Sequence, residues 1–119
     1  MDRSLIVAKV VPTAEDRVAE IFAESDATEL PRLAGVRHRS LYRLGDLYVH
    51  LLETELPGEG AVENIRRHPE FTRISARLRP FISPYLPDWQ SPRDAMAHCF
   101  YRFDAPADSY RSDAPVGRS

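Results

Sequence analysis

The stretch Val36-Arg-His-Arg-Ser-Leu-Tyr-Arg-Leu44-Gly45-Asp46-Leu47-Tyr-Val-His-Leu-Leu-Glu-Thr-Glu55 decides how this chain folds. Two strand-like runs, 36–44 and 47–55, flank Gly45-Asp46, and Gly followed by Asp suits the two-residue type II′ turn of a hairpin. Setting Leu44 opposite Leu47 pairs Arg43 with Tyr48, Leu41 with His50 and Arg39 with Leu52. Arg39 and His50 then become diagonal neighbours on one face of the sheet. The other face receives Val36, His38, Ser40, Tyr42 and Leu44 with Leu47, Val49 and Leu51. Both faces therefore carry apolar area, as a sheet covered on both sides would.

Upstream of the hairpin, residues 4–11 form a β-branched run that stops at Pro12 and reads as the first strand. Thr13 with Asp16 three positions on is a helix-start signal. Ala14, Val18, Ile21 and Phe22 then recur at helical spacing, which predicts a helix from about Ala14 to about Ser25. The segment 26–35 contains Pro31 and Gly35 and reads as a connection. Downstream, Val62, Ile65, Phe71, Ile74 and Leu78 predict a second helical region broken at His68-Pro69. A loop punctuated by Pro80, Pro84, Pro87 and Pro92 carries Phe81, Tyr85 and Trp89, and reads as a lid or a dimer contact. Residues 95–103 complete the pattern as a final strand.

The resulting order βαββαβ is the ferredoxin-like member of the α+β class, an antiparallel sheet with helices on one face. Two helices cover only one face, so a second copy of the sheet is the expected cover for the other, giving a homodimer. The 119 residues fit one domain, expected over 1–104, with a polar tail over 105–119 expected to be disordered. Hydrophobic residues make up 43% and charged residues 29%, as in ordinary globular proteins. The net charge of −2, with Arg interleaved among acids, gives no field to gather nucleic acid or anionic lipid, and no run is long enough to span a membrane. Cys99 is alone, which excludes an internal disulfide and two-cysteine metal motifs, and points to a reducing cytoplasm.

The strings Phe22-Ala-Glu-Ser-Asp26-Ala-Thr-Glu-Leu-Pro31, Gly35-Val36 and Leu44-Gly-Asp-Leu-Tyr-Val-His50-Leu, followed by His68-Pro-Glu-Phe71 and Pro84-Tyr85, together resemble the tetracenomycin-type aromatic polyketide cyclases. The similarity runs from about Leu5 to Phe103. It implies a dimeric α+β barrel with no metal or organic cofactor. The implied substrate is an aromatic poly-β-ketone from a type II polyketide synthase, with association with synthase components as a further possibility. The implied reaction is intramolecular aldol-type ring closure, dehydration and aromatisation. Functional positions of the family carry over to Asp26, Arg39 and His50. Relatives have His immediately before the Asp, where this chain has Ser25.

For such a substrate the protein's main task is orientation, since poly-β-ketones cyclise readily but without control. His50 is the candidate proton shuttle, and Arg39 the candidate holder of a developing enolate oxygen. Asp26 could act as base or set the geometry of its neighbours. Ser25, Arg43 and Tyr48 are candidate substrate contacts. Each has a structural reading too: His50 as a hydrogen-bonded core residue, Arg39 and Asp26 as a salt bridge, Asp26 as a turn former, Tyr48 and Arg43 as packing. Two other functions remain open at this point, a cofactor-independent monooxygenase acting on an aromatic polyketide and a non-enzymatic polyketide-binding subunit.

Overall fold

In a computed structural model, which describes residues 1–90 and 92–107, β1 runs over Asp2–Val10, α1 over Glu15–Asp26 and α2 over Leu30–Ala34. Then come β2 (Val36–Leu44), β3 (Leu47–Thr54), α3 (Gly58–Ile65), α4 (Pro69–Leu78) and β4 (Ile82–Pro84). The sheet order is β2-β3-β1-β4 with every neighbouring pair antiparallel. This is the ferredoxin-like arrangement, in which each outer strand is reached by a helical crossover. The tail expected over 105–119 lies outside the described residues apart from its first three.

The hairpin register agrees with expectation: Leu44 pairs with Leu47, Arg43 with Tyr48, Leu41 with His50 and Arg39 with Leu52. Gly45 takes a φ of 61° while Asp46 does not have a positive φ, as the first and second central positions of a II′ turn require. One position departs. The register shifts between Val36 and His38, so Val36 pairs with Thr54 and joins the Arg39 face rather than the face of His38. A bulge inserts one residue on one strand and breaks the strict alternation that the expectation assumed.

The helices cover the face of Tyr48, His50, Leu52 and Thr54, all buried, while Leu47, Val49 and Leu51 stay half-exposed on the other. Ala8 and Val10 of β1 pack with Ala14, Val18 and Tyr48, and Phe22, Leu41, Leu78, Phe81 and Ile82 close around them. Ile21, at the middle of α1, is fully buried. The amphipathic spacing read for this helix thus places its apolar stripe on the sheet.

Three local expectations are corrected. Thr13 does not cap α1, because Pro12–Ala14 forms a 3-10 turn and no side chain bonds the first turn of the helix. The connection 26–35 contains a helix of its own, α2, stopped by Gly35 in the left-handed region at φ 71°. The last strand is not 95–103 but Ile82–Pro84, brought beside β1 by the turn at the end of α4, where Phe81 N–H bonds Leu78 O and Val11 N–H bonds Phe81 O. Met96 makes only an isolated bridge to Ile6, and Ala97 N–H donates to Leu5 O at 2.7 Å. From His98 the chain leaves the sheet, with Phe100 90%, Tyr101 78% and Phe103 65% exposed.

Candidate active site

Between the helices and the covered face of the sheet lies a cavity of about 200 Å³. Its floor is Ile6, Val36, Arg39, His50 and Leu52; α1 contributes Phe22 and Ser25, α2 contributes Leu30, Pro31 and Ala34. Ala61, Val62 and Ile65 of α3 and Phe71, Ile74, Ser75 and Leu78 of α4 complete the wall. Four of these side chains are polar: Arg39, His50, Ser25 and Ser75. An apolar hollow with a few placed polar groups is the usual form of a small-molecule site.

Arg39 is held from three directions. Its Nε–H reaches both oxygens of Asp26, at 3.2 and 3.1 Å, and Nη2 donates to Oδ1 at 2.8 Å. Nη1 donates to His50 Nε2 at 3.1 Å. The guanidinium also lies over the Phe22 ring, 5.1 Å from its centroid. Asp26 can reach it because it stands one helical turn after Phe22, so both project from the same side of α1. A guanidinium has five N–H donors, and these bonds engage three of them. Two donors remain for a ligand at a site that a neutralising carboxylate already fixes.

His50 is 5% exposed and packs edge-on to Phe22, with ring centroids 5.3 Å apart. Because Arg39 has no acceptor, Nε2 must be the unprotonated nitrogen, and Nδ1 carries the hydrogen toward Tyr48 Oη at 3.3 Å. Burial, and then the positive charge of Arg39, pulls the imidazole down to about 3. It is therefore neutral at physiological pH, with its lone pair turned to Arg39. Burial also raises the Tyr48 phenol, against the opposing pull of Arg39, so this hydroxyl stays protonated.

Asp26, Arg39 and His50 are thus brought together, with Ser25 buried at the cavity wall beside them. Arg43 and Tyr48 are not brought to the cavity. They line a separate hollow of about 140 Å³, where Arg43 Nε donates to Glu15 at 2.8 Å, and Tyr48 meets the site only through His50. In the sequence Phe22 reads only as an apolar helix position, and its place one turn before Asp26 is the signal that it shares the site. Ser75, four residues after Phe71, has the same kind of signal.

The cavity rim carries a clasp. His68 caps α4 by accepting Glu70 N–H at Nδ1 (3.0 Å), which leaves Nε2–H to donate to Glu29 at 2.9 Å. Glu29 directly precedes Leu30 and Pro31 of the wall, so this bond ties α2 to the α3–α4 corner. Among the described residues no group of three or more His, Cys, Asp or Glu could hold a metal ion, and no helix is long and apolar enough to cross a membrane.

A small α+β protein with an apolar cavity and one clamped guanidinium on its floor belongs among proteins built to hold a small organic molecule. Residues 2–104 match the polyketide synthesis cyclase family, and the chain belongs to it. It is 39% identical to the tetracenomycin F2 cyclase of Streptomyces glaucescens and 42% identical to polyketide synthase CurG of Streptomyces cyaneus, each match covering 87% of this chain, and 95% and 98% of those proteins. An uncharacterized protein of Streptomyces coelicolor, SCO5314, is 46% identical over 106 residues, covering 87% of this chain and 96% of its own length. The solved structure of the S. glaucescens enzyme, described as a type-II polyketide cyclase, superposes with a TM-score of 0.82 over 89% of this chain and all of its own.

Proposed function

We propose that this enzyme closes a ring on an aromatic polyketide intermediate chiefly by holding it in the cavity, with Arg39 binding the oxygen on which negative charge develops. In an aldol closure, a proton leaves a methylene between two carbonyls and its carbon bonds a second carbonyl carbon. That carbonyl oxygen becomes an alkoxide, takes up a proton, and later leaves as water as the ring becomes aromatic. The apolar wall fits the flat faces of such a molecule and restricts which carbon meets which carbonyl. Arg39 offers a fixed charge and its two remaining N–H groups to the enolate or alkoxide oxygen in a site with little water.

The observation that carries this reading is the clamp on Arg39. Asp26 and His50 are assigned to it as positioning residues: Asp26 aligns the guanidinium fork, and the neutral His50 fixes Nη1 by accepting from it. A methylene flanked by two carbonyls is acidic enough that a strong protein base is not required. Ser25 contacts the substrate directly. Arg43 and Tyr48 act at a distance, by supporting the hairpin and His50.

We further place the enzyme in the cytoplasm as a homodimer working beside type II synthase components. The half-exposed second face of the sheet and the exposed aromatics after Ala97 support the second copy. The exposed lone Cys99, which a reducing compartment keeps as a thiol, supports the setting.

The test is reconstitution with a minimal type II synthase, run in parallel under argon and under air, with products read by mass spectrometry. Wild type is expected to give one cyclised product with loss of water. Arg39→Lys keeps the charge but loses the planar fork, and is expected to lower kcat by about 10²-fold with a smaller change in KM. A product that forms only in air would replace the cyclase reading with an oxygenase. A wild-type rate retained in Arg39→Lys would remove Arg39 from the chemistry.

A further inference from the structure

Among the described residues, nothing bonds the hydroxyls of Ser25 and Ser75. Ser25 is 9% exposed, and its backbone carbonyl accepts from Thr28, yet no hydrogen bond to its Oγ exists among the described residues. A serine inside a helix ordinarily returns its hydroxyl to the carbonyl one turn back, and Ser25 does not. Ser75, half-buried on α4, likewise has a bonded carbonyl and an unbonded hydroxyl. Both side chains line the same cavity, from α1 and α4, and every other lining side chain apart from Arg39 and His50 is apolar.

A buried hydroxyl without a partner costs roughly 1–3 kcal/mol, and native proteins rarely leave one so. Ser25 is such a group, and the half-buried Ser75 lines the same cavity with its hydroxyl also unbonded, so the pair marks a polar station. A polyketide carries oxygen on every second carbon of its backbone, so a fused aromatic made from it presents several oxygens around a flat apolar body. Arg39 can hold one of them. We infer that Ser25 and Ser75 together bind a second oxygen substituent of the ring system, and so set which oxygenation pattern, and which orientation, the cavity accepts.

This specificity role rests on the reading of the cavity as an aromatic polyketide site. The hydroxyls can donate to a carbonyl or accept from a phenol, so they select for the presence and position of an oxygen rather than for its protonation. Arg39 sets the register of the reacting oxygen, and the serine pair rejects molecules that have carbon–hydrogen where the second oxygen belongs. A site built around a substrate oxygen discriminates against its absence because its own polar groups are then left unpaired.

The test is fluorescence titration of the full chain with 1-hydroxyanthraquinone and with its 1,3-, 1,6- and 1,8-dihydroxy relatives, using wild type, Ser25→Ala, Ser75→Ala and the double variant. Wild type is expected to bind one dihydroxy isomer about tenfold more tightly than the monohydroxy compound. The double variant is expected to bind all four alike, at the wild-type affinity for the monohydroxy compound. Thermal unfolding midpoints of the alanine variants should stay level or rise, since neither substitution removes a hydrogen bond seen among the described residues. Equal affinities in wild type, or an isomer preference that survives in the double variant, would overturn the serine station and leave the cavity assignment standing. Failure of all four compounds to bind wild type would bring down the cavity assignment and this inference together.

Discussion

At His50 the sequence offers an imidazole, and the fold decides what that imidazole can do. Enclosed by Phe22, Tyr48 and Arg39, it takes a proton only near pH 3 in the native state, against 6.5 as its ordinary value. Between those limits the unfolded chain binds a proton that the folded chain does not. Native stability therefore falls as pH drops through this window, by up to about 1.4 kcal/mol per pH unit from this residue. Urea midpoints of wild type should decline more steeply from about pH 6.5 to about pH 4.5 than those of His50→Gln. An amide at that position can still accept from Arg39 but does not titrate. The same shift predicts a cyclisation rate without an imidazole inflection between about pH 6 and 8. An inflection there that disappears in His50→Gln would return the proton shuttle to His50 and contradict its assignment as a positioning residue.

Among the elements, α2 shows what a short segment contributes that periodicity does not reveal. Five residues are little more than one turn, too few to display a 3.6-residue pattern, and Pro31 and Gly35 give the segment the look of a loop. Both residues in fact belong to a helix, Pro31 in its first turn and Gly35 as its left-handed stop. Leu30, Pro31 and Ala34 become cavity wall, and Gly35 O accepts from Glu55 N–H at 2.9 Å, tying the end of α2 to the end of β3. A methyl at Gly35 would meet the Glu55 backbone and Cβ at ordinary contact distance, 3.7 to 3.8 Å, so the cost of Gly35→Ala comes from its φ of 71°. We expect a loss of about 1 kcal/mol of stability for Gly35→Ala and less for Gly35→Asn, read from denaturant midpoints. Equal losses for the two would mean packing, not backbone angle, governs the site. The diagonal pair Arg39 and His50 is legible in the sequence because the Gly45-Asp46 turn determines the hairpin register. Val36 is not, because the bulge at Arg37 has no residue signature. Nor is the last strand, since Ala95–Phe103 has strand composition while its place beside the C-terminal half of β1 goes to Ile82–Pro84, which α4 delivers first.

For the whole molecule, one face of the sheet is finished and the other is not. Helices cover the even-numbered side chains of β1 and β3, while Leu5, Tyr42 and Leu44 on the other face are 41%, 57% and 79% exposed. Beyond Ala97 the chain adds Phe100, Tyr101 and Phe103, also bare, and with Arg3 and Leu5 these residues border an open hollow of about 440 Å³. Burying one such side chain contributes about 2 kcal/mol, so three aromatics from each of two copies supply about 12. Micromolar association requires about 8 kcal/mol in addition to about 4–15 kcal/mol for the loss of overall motion on binding, so the two arms reach only the lower limit of what is needed and the sheet face supplies the rest. Sedimentation at micromolar concentration should therefore give twice the chain mass for wild type and a weakened dimer for Phe100→Asp. The combination of Phe100→Asp with Leu44→Glu should give a folded monomer, with its far-ultraviolet circular dichroism retained. The Arg39 cavity lies under the helices on the covered face of the sheet, and neither Leu44 nor Phe100 lines it, so that monomer is expected to bind hydroxyanthraquinones within about threefold of wild type. A monomeric wild type would refute the dimer. A dimer that the paired charges leave intact would move its interface to another surface, and loss of ligand binding on dissociation would mean that the second copy shapes the cavity.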